Sequence, residues 1–283
     1  MPTVLITGAS SGIGYATAQE LVRCGYRVFG TVRKSEDADR LQQDLGPNFT
    51  PLMLDVTDVL AVQQAADQVA SLLQSQNLNG LDGLINNAGI ATSGPLAYQP
   101  IDEIRWQFEV NVIAPMAVIQ AFLPLLKQRA TSQARSARII NISSVGGKIA
   151  APFLGAYAGS KHAIEGLSQS LRRELKHHNI DVVIVGPGAV KTPIWQKEST
   201  NELSRYANTE YDRPLAAFQQ YAMTTAQSGY EPDVIGRAIR QILETKRPKT
   251  RYAIVPQAIA NWVIPRLLPD RWLDRLFRQY FGL

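Results

Sequence analysis

"TVLITGASSGIG", residues 3–14, decides the fold of this chain. A short apolar run that ends in glycine reads as a buried strand. Gly8, Gly12 and Gly14 follow, and a helix-length stretch opens at about residue 13. Glycines at such a turn permit a tight bend, close approach of backbone to a pyrophosphate, and close helix–strand packing. The N-terminus of the helix presents free N–H groups and a positive dipole end to phosphate. The spacing is G-x3-G-x-G rather than the commoner G-x-G-x-x-G.

Outward from this stretch, short apolar runs recur at 3–7, 27–32, 50–54, 82–86, 137–143, 181–186 and 251–255. They are apolar almost throughout, as strands buried on both faces of a parallel sheet are. Helix-length stretches lie between them at roughly 13–24, 58–76, 101–128, 155–177 and 232–244. This rhythm predicts an α/β fold: a doubly wound, seven-stranded parallel sheet of Rossmann type in a single domain, residues 1–256. Two segments break it. Residues 193–230 form a polar and aromatic insert, placed as a lid insert for a substrate at the C-terminal strand ends, and 257–283 form a tail.

Composition sets outer bounds. The 283 residues carry 29 Lys+Arg against 24 Asp+Glu, a net charge of +5, with the basic residues scattered. That does not favour nucleic acid, and suits an anionic cofactor or an acidic membrane surface. One cysteine, Cys24, excludes an internal disulfide and fits a reducing, cytoplasmic setting. It is expected to be a small buried hydrophobe. His162, His177 and His178 lack metal-ligand spacing, so no metal is expected. The chain enters its first strand without a charged leader, so no signal peptide is expected. The uncharged run "VNVIAPMAVIQAFLPLL", 110–126, approaches a membrane span in length, but Asn111, Gln120 and two prolines mark it as a central buried helix.

The chemistry concentrates in "AYAGSKHA", 156–163. Tyr157 and Lys161 stand four apart, on one face of a helix. A phenol beside an ammonium is a candidate proton donor whose acidity the neighbour raises.

"TGASSGIG", "NNAG" (86–89), "NISS" (141–144), "YAGSK" (157–161) and "PGAVKT" (187–192), in this order, resemble the short-chain dehydrogenase/reductase family. The likeness is detailed over roughly residues 3–192. It implies Tyr157 as the proton donor to a carbonyl oxygen, and as base in the reverse direction. It implies Lys161 as the residue that holds the nicotinamide ribose. Ser144 resembles the hydroxyl that polarises the substrate oxygen; Ser143 is its rival, but Ser144 lies 13 residues before Tyr157, which matches the family pattern. Asn111 resembles the fourth catalytic residue, whose backbone helps hold a water leading to the lysine. Its other reading is a polar residue that kinks a buried helix.

The cofactor contacts implied are Gly8, Ser10, Ser11, Gly12, Ile13 and Gly14 at the turn, and Asn87, Ala88 and Gly89 after the fourth strand, where Asn86 also stands. Asp55 resembles the residue that hydrogen-bonds the adenine, with Val56 against the ring. Tyr157 and Lys161 complete the set with Pro187, Gly188, Val190 and Thr192, the segment that meets the nicotinamide carboxamide.

NAD-binding folds of this kind carry an acid about 20 residues beyond the glycines, on the ribose 2′-OH. Here that place is Val32, 18 residues after Gly14, and Arg33 and Lys34 follow it. Guanidinium and ammonium suit a 2′-phosphate, which favours NADP(H).

The insert and tail hold Ile194, Trp195, Tyr206, Phe218, Tyr221 and Trp262, which suggest a roomy hydrophobic pocket. "RYAIVPQA" and the tail resemble the branch of 17β-hydroxysteroid and retinol dehydrogenases. The leading reading is therefore an NADPH-dependent enzyme interconverting a hydrophobic ketone or aldehyde (steroid-, retinoid- or lipid-like) and its alcohol. The alternatives are a non-catalytic NADP(H)-sensing regulatory protein or a membrane-attached interaction protein. After Pro269, Trp272, Leu273, Leu276, Phe277 and Tyr280 share one helical face. That amphipathic helix is expected to wall the pocket, with peripheral membrane contact secondary. Family members pair through the two long helices, here 101–128 and 155–177, so a homodimer or homotetramer is expected.

Overall fold

The computed structural model describes residues 1–132, 136–195 and 204–283. Seven strands form one sheet in the order β3-β2-β1-β4-β5-β6-β7. They are β1 Thr3–Ile6, β2 Arg27–Val32, β3 Phe49–Met53, β4 Gly83–Asn86, β5 Ala137–Ile142, β6 Ile180–Pro187 and β7 Arg251–Ile254. Every neighbouring pair is parallel. All seven lie within about two residues of the predicted runs. The chain order reverses between β1 and β4, and such a switch point opens a crevice at the strands' C-terminal ends.

Alternation along the strands feeds two cores. Leu5, Phe29, Leu84, Ile139 and Val182 face one layer with Val62 and Val69 of α3 (Val59–Ser75) and Val118, Phe122 and Leu126 of α5 (Ala114–Ser132). Val4, Ile6, Val28, Ile85, Ile140 and Val183 face the other. There they meet Leu21 of α1 (Gly12–Arg23), Leu41 and Leu45 of α2 (Ser35–Leu45), and Ile235, Ile239 and Ile242 of α8 (Pro232–Glu244). Each such side chain, fully buried, contributes about 1.5–3 kcal/mol. Because Val118, Phe122 and Leu126 fill the first core, the long apolar stretch is a core helix of the sheet, as its polar residues suggested.

The structure departs from the sequence reading in four places. Helix α2 was not anticipated: "SEDADRLQQDL" buries only Leu41 and Leu45, a stripe too thin to register. The long helix near 101–128 is divided into α4 (Ile101–Phe108), a π-helical turn at Glu109–Ile113, and α5. The insert is itself largely helical, with α7 at Asp212–Gln227; its residues 196–203 lie outside the described residues. Cys24 is exposed, not buried, because it caps the C-terminus of α1 where the chain turns back through Gly25. The tail comprises a π-helical turn at Ile259–Val263, then α9 (Ile264–Leu267) and α10 (Asp270–Phe281).

Candidate active site

Every motif comes to the C-terminal edge of the sheet. Gly8 follows β1 with φ of 68°, a conformation glycine adopts without strain. Its N–H donates to Thr31 Oγ1 at 2.9 Å. Thr7 Oγ1 accepts the N–H groups of Asn87 and Ala88, both at 3.0 Å. The Asn87 amide donates to the carbonyls of Thr7 at 2.9 Å and Gly8 at 3.0 Å. A Cβ on Gly14 would lie 2.6 Å from Asn87 Nδ2, so only glycine lets α1 approach this closely. On the other side a Cβ on Gly12 would lie 3.1 Å from Thr192 Cγ2. The turn is thus bracketed by the NNAG segment and by Thr192. Ser10, which the sequence offered no brace for, is held through its carbonyl by Arg40 Nη2 at 2.8 Å.

At the edge of β2 and β3, Val32 is buried while Arg33 and Lys34 are exposed. Asp55 is exposed, and its Oδ1 accepts from Thr57 N at 3.0 Å and Thr57 Oγ1 at 2.7 Å. Burial alone would raise its pKa, but the Thr57 hydrogen bonds and the charge of Arg33 outweigh it and hold the carboxyl below its usual value. Val56 beside it is buried.

Helix α6 (Gly155–Glu174) carries Tyr157 and Lys161, each 7% exposed. Lys161 Nζ donates to the carbonyl of Ile142 at 3.0 Å and stands 5.7 Å from the centroid of the Tyr157 ring. Burial lowers the lysine to about 8. The expected acidification of Tyr157 does not arise from the protein alone. Burial pushes the phenol above its usual value, and a hydrogen bond with Ser144 is what opposes it. Ser144 Oγ also caps the short 3₁₀ turn Val145–Gly147, accepting from Gly146 N at 3.0 Å. The Ser143 hydroxyl turns away and donates to Glu165 Oε1 at 3.0 Å. Of the two serines, Ser144 faces the tyrosine.

Asn111 sits in the π-helical turn, a distortion often found at functional sites. Its side chain accepts from Ile90 N and donates to Ile90 O, both at 2.9 Å, and donates to Ser160 Oγ at 3.0 Å. A Cβ on Gly89 would lie 3.2 Å from Asn111 Oδ1 and 3.8 Å from Lys161 Nζ, so Gly89 stands between the two. Asn86 turns into the sheet instead, donating to Asn141 Oδ1 at 2.8 Å. Gly188 N donates to Ile254 O at 2.9 Å, and Val190 is buried and bridged to Tyr230.

The sequence reading missed a buried ionic cluster behind the serines. Glu165, one turn beyond Lys161, receives Arg251 Nη2 at 2.8 Å and Lys148 Nζ at 2.8 Å. The residues are far apart in sequence, and the β6–β7 pairing that unites them leaves no local signal.

Most of the described aromatic side chains of the insert and tail pack on one another rather than on an open pocket; Trp262 instead stacks on Arg251 and Arg266, and the Trp195 side chain lies outside the described residues. Tyr206, Leu215 and Phe218 form a buried cluster with Phe153 and with Phe281 of α10. The rings of Phe153 and Phe218 are 5.6 Å apart, and Phe218 and Phe281 6.0 Å. Tyr221 meets Tyr280 edge-on at 5.4 Å. A groove of about 540 Å³ is lined by Ala150, Ala151 and Pro152 and by Asp274, Phe277, Arg278 and Leu283. The tail therefore packs beside the loop that joins Ser144 to Tyr157, with Phe281 against Phe153.

These residues fit a nicotinamide dinucleotide. The glycine turn leaves the N-terminus of α1 open to a pyrophosphate. Among the described residues Lys161 Nζ has one hydrogen-bond acceptor, leaving donors for ribose hydroxyls beside Gly89 and Tyr157.

The comparisons with known proteins agree. The short chain dehydrogenase family model matches residues 2–203. The NADPH-dependent 3-dehydrocapnine reductase of Ornithobacterium rhinotracheale is 36% identical over 98% of this chain and 96% of its own. The 3-ketodihydrosphingosine reductase of Bacteroides thetaiotaomicron is 32% identical over 99% and 98%. The crystal structure of a short-chain dehydrogenase from Streptomyces avermitilis superposes with a TM-score of 0.76 at 30% identity, covering 97% of this chain and 94% of that one. Strand order, glycine turn, Tyr–Lys helix and family match converge: the chain belongs to the short-chain dehydrogenase family and is an oxidoreductase that uses a nicotinamide cofactor.

Proposed function

We propose that this enzyme uses NADPH to reduce a bulky, lipid-like ketone or aldehyde to its alcohol, and catalyses the reverse reaction with NADP⁺. The carrying observation is half-buried Ser144 hydrogen-bonded to buried Tyr157, with buried Lys161 one turn further on and beside Gly89. The nicotinamide supplies or takes the hydride. Ser144 hydrogen-bonds the substrate oxygen, and Tyr157 gives that oxygen its phenolic proton. Burial keeps the phenol protonated at neutral pH, the form that a general acid needs. Charged Lys161 stabilises the phenolate left behind and holds the ribose. Asn111 and Ser160 keep the Tyr–Lys helix in register.

NADP(H) is favoured by Arg33 and Lys34 at the end of β2, with buried Val32 where an acid would serve NAD. The relative named as NADPH-dependent supports the same choice. The lipid-like substrate rests on the relative named for a ketodihydrosphingosine and on the tail helix, which packs beside the loop that joins Ser144 to Tyr157. NADPH consumption, with NADH as control, across long-chain ketones, retinaldehyde and steroid ketones tests this reading. No turnover on any of them, with NADPH bound, would refute it.

A second surface accompanies this activity. Trp272, Leu276 and Tyr280 form an exposed ridge on α10, with Leu267 exposed ahead of it. Arg266, Arg271 and Arg275 are exposed in the same segment. Such a composition suits an anionic lipid surface on the cytoplasmic side of a membrane, where lipid substrates reside. Retention of the protein on anionic vesicles, and its loss when the ridge is changed to alanine, tests that part. Exposed Trp106, Ile113 and Leu167 on the long helices favour a homodimer or homotetramer, which light scattering tests.

A further inference from the structure

Glu165 lies on the same face of α6 as Tyr157 and Lys161, two turns and one turn beyond them. Its side chain is 1% exposed. It is held by Arg251, whose Nε and Nη2 donate to Oε1 at 3.0 and 2.8 Å, and by Lys148 at 2.8 Å on Oε2. Burial raises its pKa, but the hydrogen bonds from Arg251 and Lys148 outweigh that, so it is a carboxylate.

Two contacts aim this cluster at the reacting groups. Ser143 Oγ donates to Glu165 Oε1 at 3.0 Å. Arg251 Nη2 also donates to the carbonyl of Ser144 at 3.1 Å. The residue that carries the substrate-facing hydroxyl is thus fixed by its own carbonyl and by its neighbour's side chain. The chain leaves room for this arrangement. A Cβ on Gly147 would lie 2.6 Å from Ser143 Oγ and 2.8 Å from Glu165 Oε1, and one on Gly186 would collide with the Arg251 guanidinium.

The other end of the cluster reaches the tail. The Arg251 guanidinium carbon lies 4.4 Å from the centre of the Trp262 ring, and that of Arg266 lies 4.6 Å from the same ring. The path runs from the tail through Trp262 and Arg251 to Glu165 and the Ser143–Ser144 strand end.

We propose that Glu165 is a positioning residue, which through Arg251 and Ser143 sets the Ser144 hydroxyl against Tyr157, and that Trp262 makes this setting depend on a seated tail. The proposal rests on the reading of Ser144 and Tyr157 given above. It differs from a merely structural ion pair in what it moves: the pairing of two reacting groups, rather than stability alone.

The test compares wild type with Glu165→Gln, Glu165→Asp and Trp262→Ala, each also in a Tyr157→Phe background. Ultraviolet difference between each pair isolates the ionisation of Tyr157. The charged group facing its ring is Lys161, and the hydroxyl facing it is Ser144. Glu165 itself faces Arg251, Lys148 and Ser143. Removing a negative charge would by itself make the phenol more acidic, whereas loss of the Ser144 hydrogen bond makes it less acidic. The sign therefore separates the two effects.

The expected result is an upward shift in Glu165→Gln, a smaller one in Trp262→Ala, and partial return toward wild type in Glu165→Asp. NADPH consumption with retinaldehyde should fall at least about tenfold in kcat for Glu165→Gln, with KM within about twofold. A downward or absent shift with kcat preserved, even if thermal stability drops, would overturn the proposal. If Glu165→Gln does not fold, surface-accessible Trp262→Ala decides alone by the same two readouts. If the wild type turns over no carbonyl, the functional reading fails, and the Tyr157 titration still decides the positioning.

Discussion

Asn111 Nδ2 donates to Ser160 Oγ at 3.0 Å, and that hydroxyl donates onward to the carbonyl of Tyr157 at 2.7 Å. The π-helical turn after α4 and the Tyr–Lys helix are tied at Tyr157, the proposed proton donor. The same amide clamps Ile90 through both of its backbone groups. Asn111→Ala takes the acceptor from the Ile90 N–H and cuts the link to Ser160, while the Ile90 carbonyl keeps the Gln107 amide. It should cost about 2–3 kcal/mol of stability, read by denaturant unfolding. Turnover should fall more than NADPH affinity. A variant with wild-type stability would show that these bonds are replaced by others.

Arg33 is exposed at the end of β2, on the edge where a 2′-phosphate would sit. Arg33→Ala should weaken NADPH binding about tenfold, the low end for a charge-assisted contact, because salt screens an exposed site. NADH affinity should change less than about twofold. Introducing an acid at Val32 is a poorer test, since that side chain is buried and a carboxylate there would carry a desolvation cost. Equal loss for both cofactors in Arg33→Ala, by isothermal titration, would count against NADP(H) selection at this edge.

Lys161 is lowered to about 8 by burial. Its charge is present below that pH and lost above it. In the proposed reaction the charged form stabilises the phenolate that proton transfer leaves on Tyr157, so kcat/KM for reduction should hold at neutral pH and decline as pH rises through about 8. A flat profile to well above that pH would contradict the role given to Lys161.

Phe281 is 3% exposed and anchors α10 to Phe218 and Phe153. Phe281→Ala should cost about 3 kcal/mol. It should also raise KM for long-chain ketones more than for small aldehydes, because Phe281 seats the tail against the loop between Ser144 and Tyr157. Truncation after Gln257 removes Phe281 as well, so its effect on substrates needs a stability control. Unchanged KM for both substrate sizes in a folded Phe281→Ala variant would separate the tail from substrate binding.

The strands were legible because parallel strands are apolar on both faces, and "TGASSGIG" was legible because a phosphate turn needs glycines at fixed places. Spacing put Tyr157 and Lys161 on one helical face, and the other motifs in order around them singled the pair out. Helix α2 was not, since its buried stripe is Leu41 and Leu45 and the rest is polar. Helix α7 was hidden inside an insert whose aromatic residues read as pocket lining. They bury one another instead, Tyr206 and Phe218 against Phe153 and Phe281. The Glu165–Arg251 pair was out of reach for a different reason. Its partners come from α6 and β7, and only the finished strand order brings them together.

The most direct test of the account is single-turnover reduction of a long-chain ketone by Tyr157→Phe with NADPH bound. The change removes one oxygen from a buried ring and leaves Lys161 bonded to the Ile142 carbonyl. The account predicts a rate lower by about 10²–10⁴-fold, the usual worth of general acid catalysis, with NADPH affinity within about twofold of wild type. A rate near that of wild type would contradict it and take Tyr157 out of the chemistry.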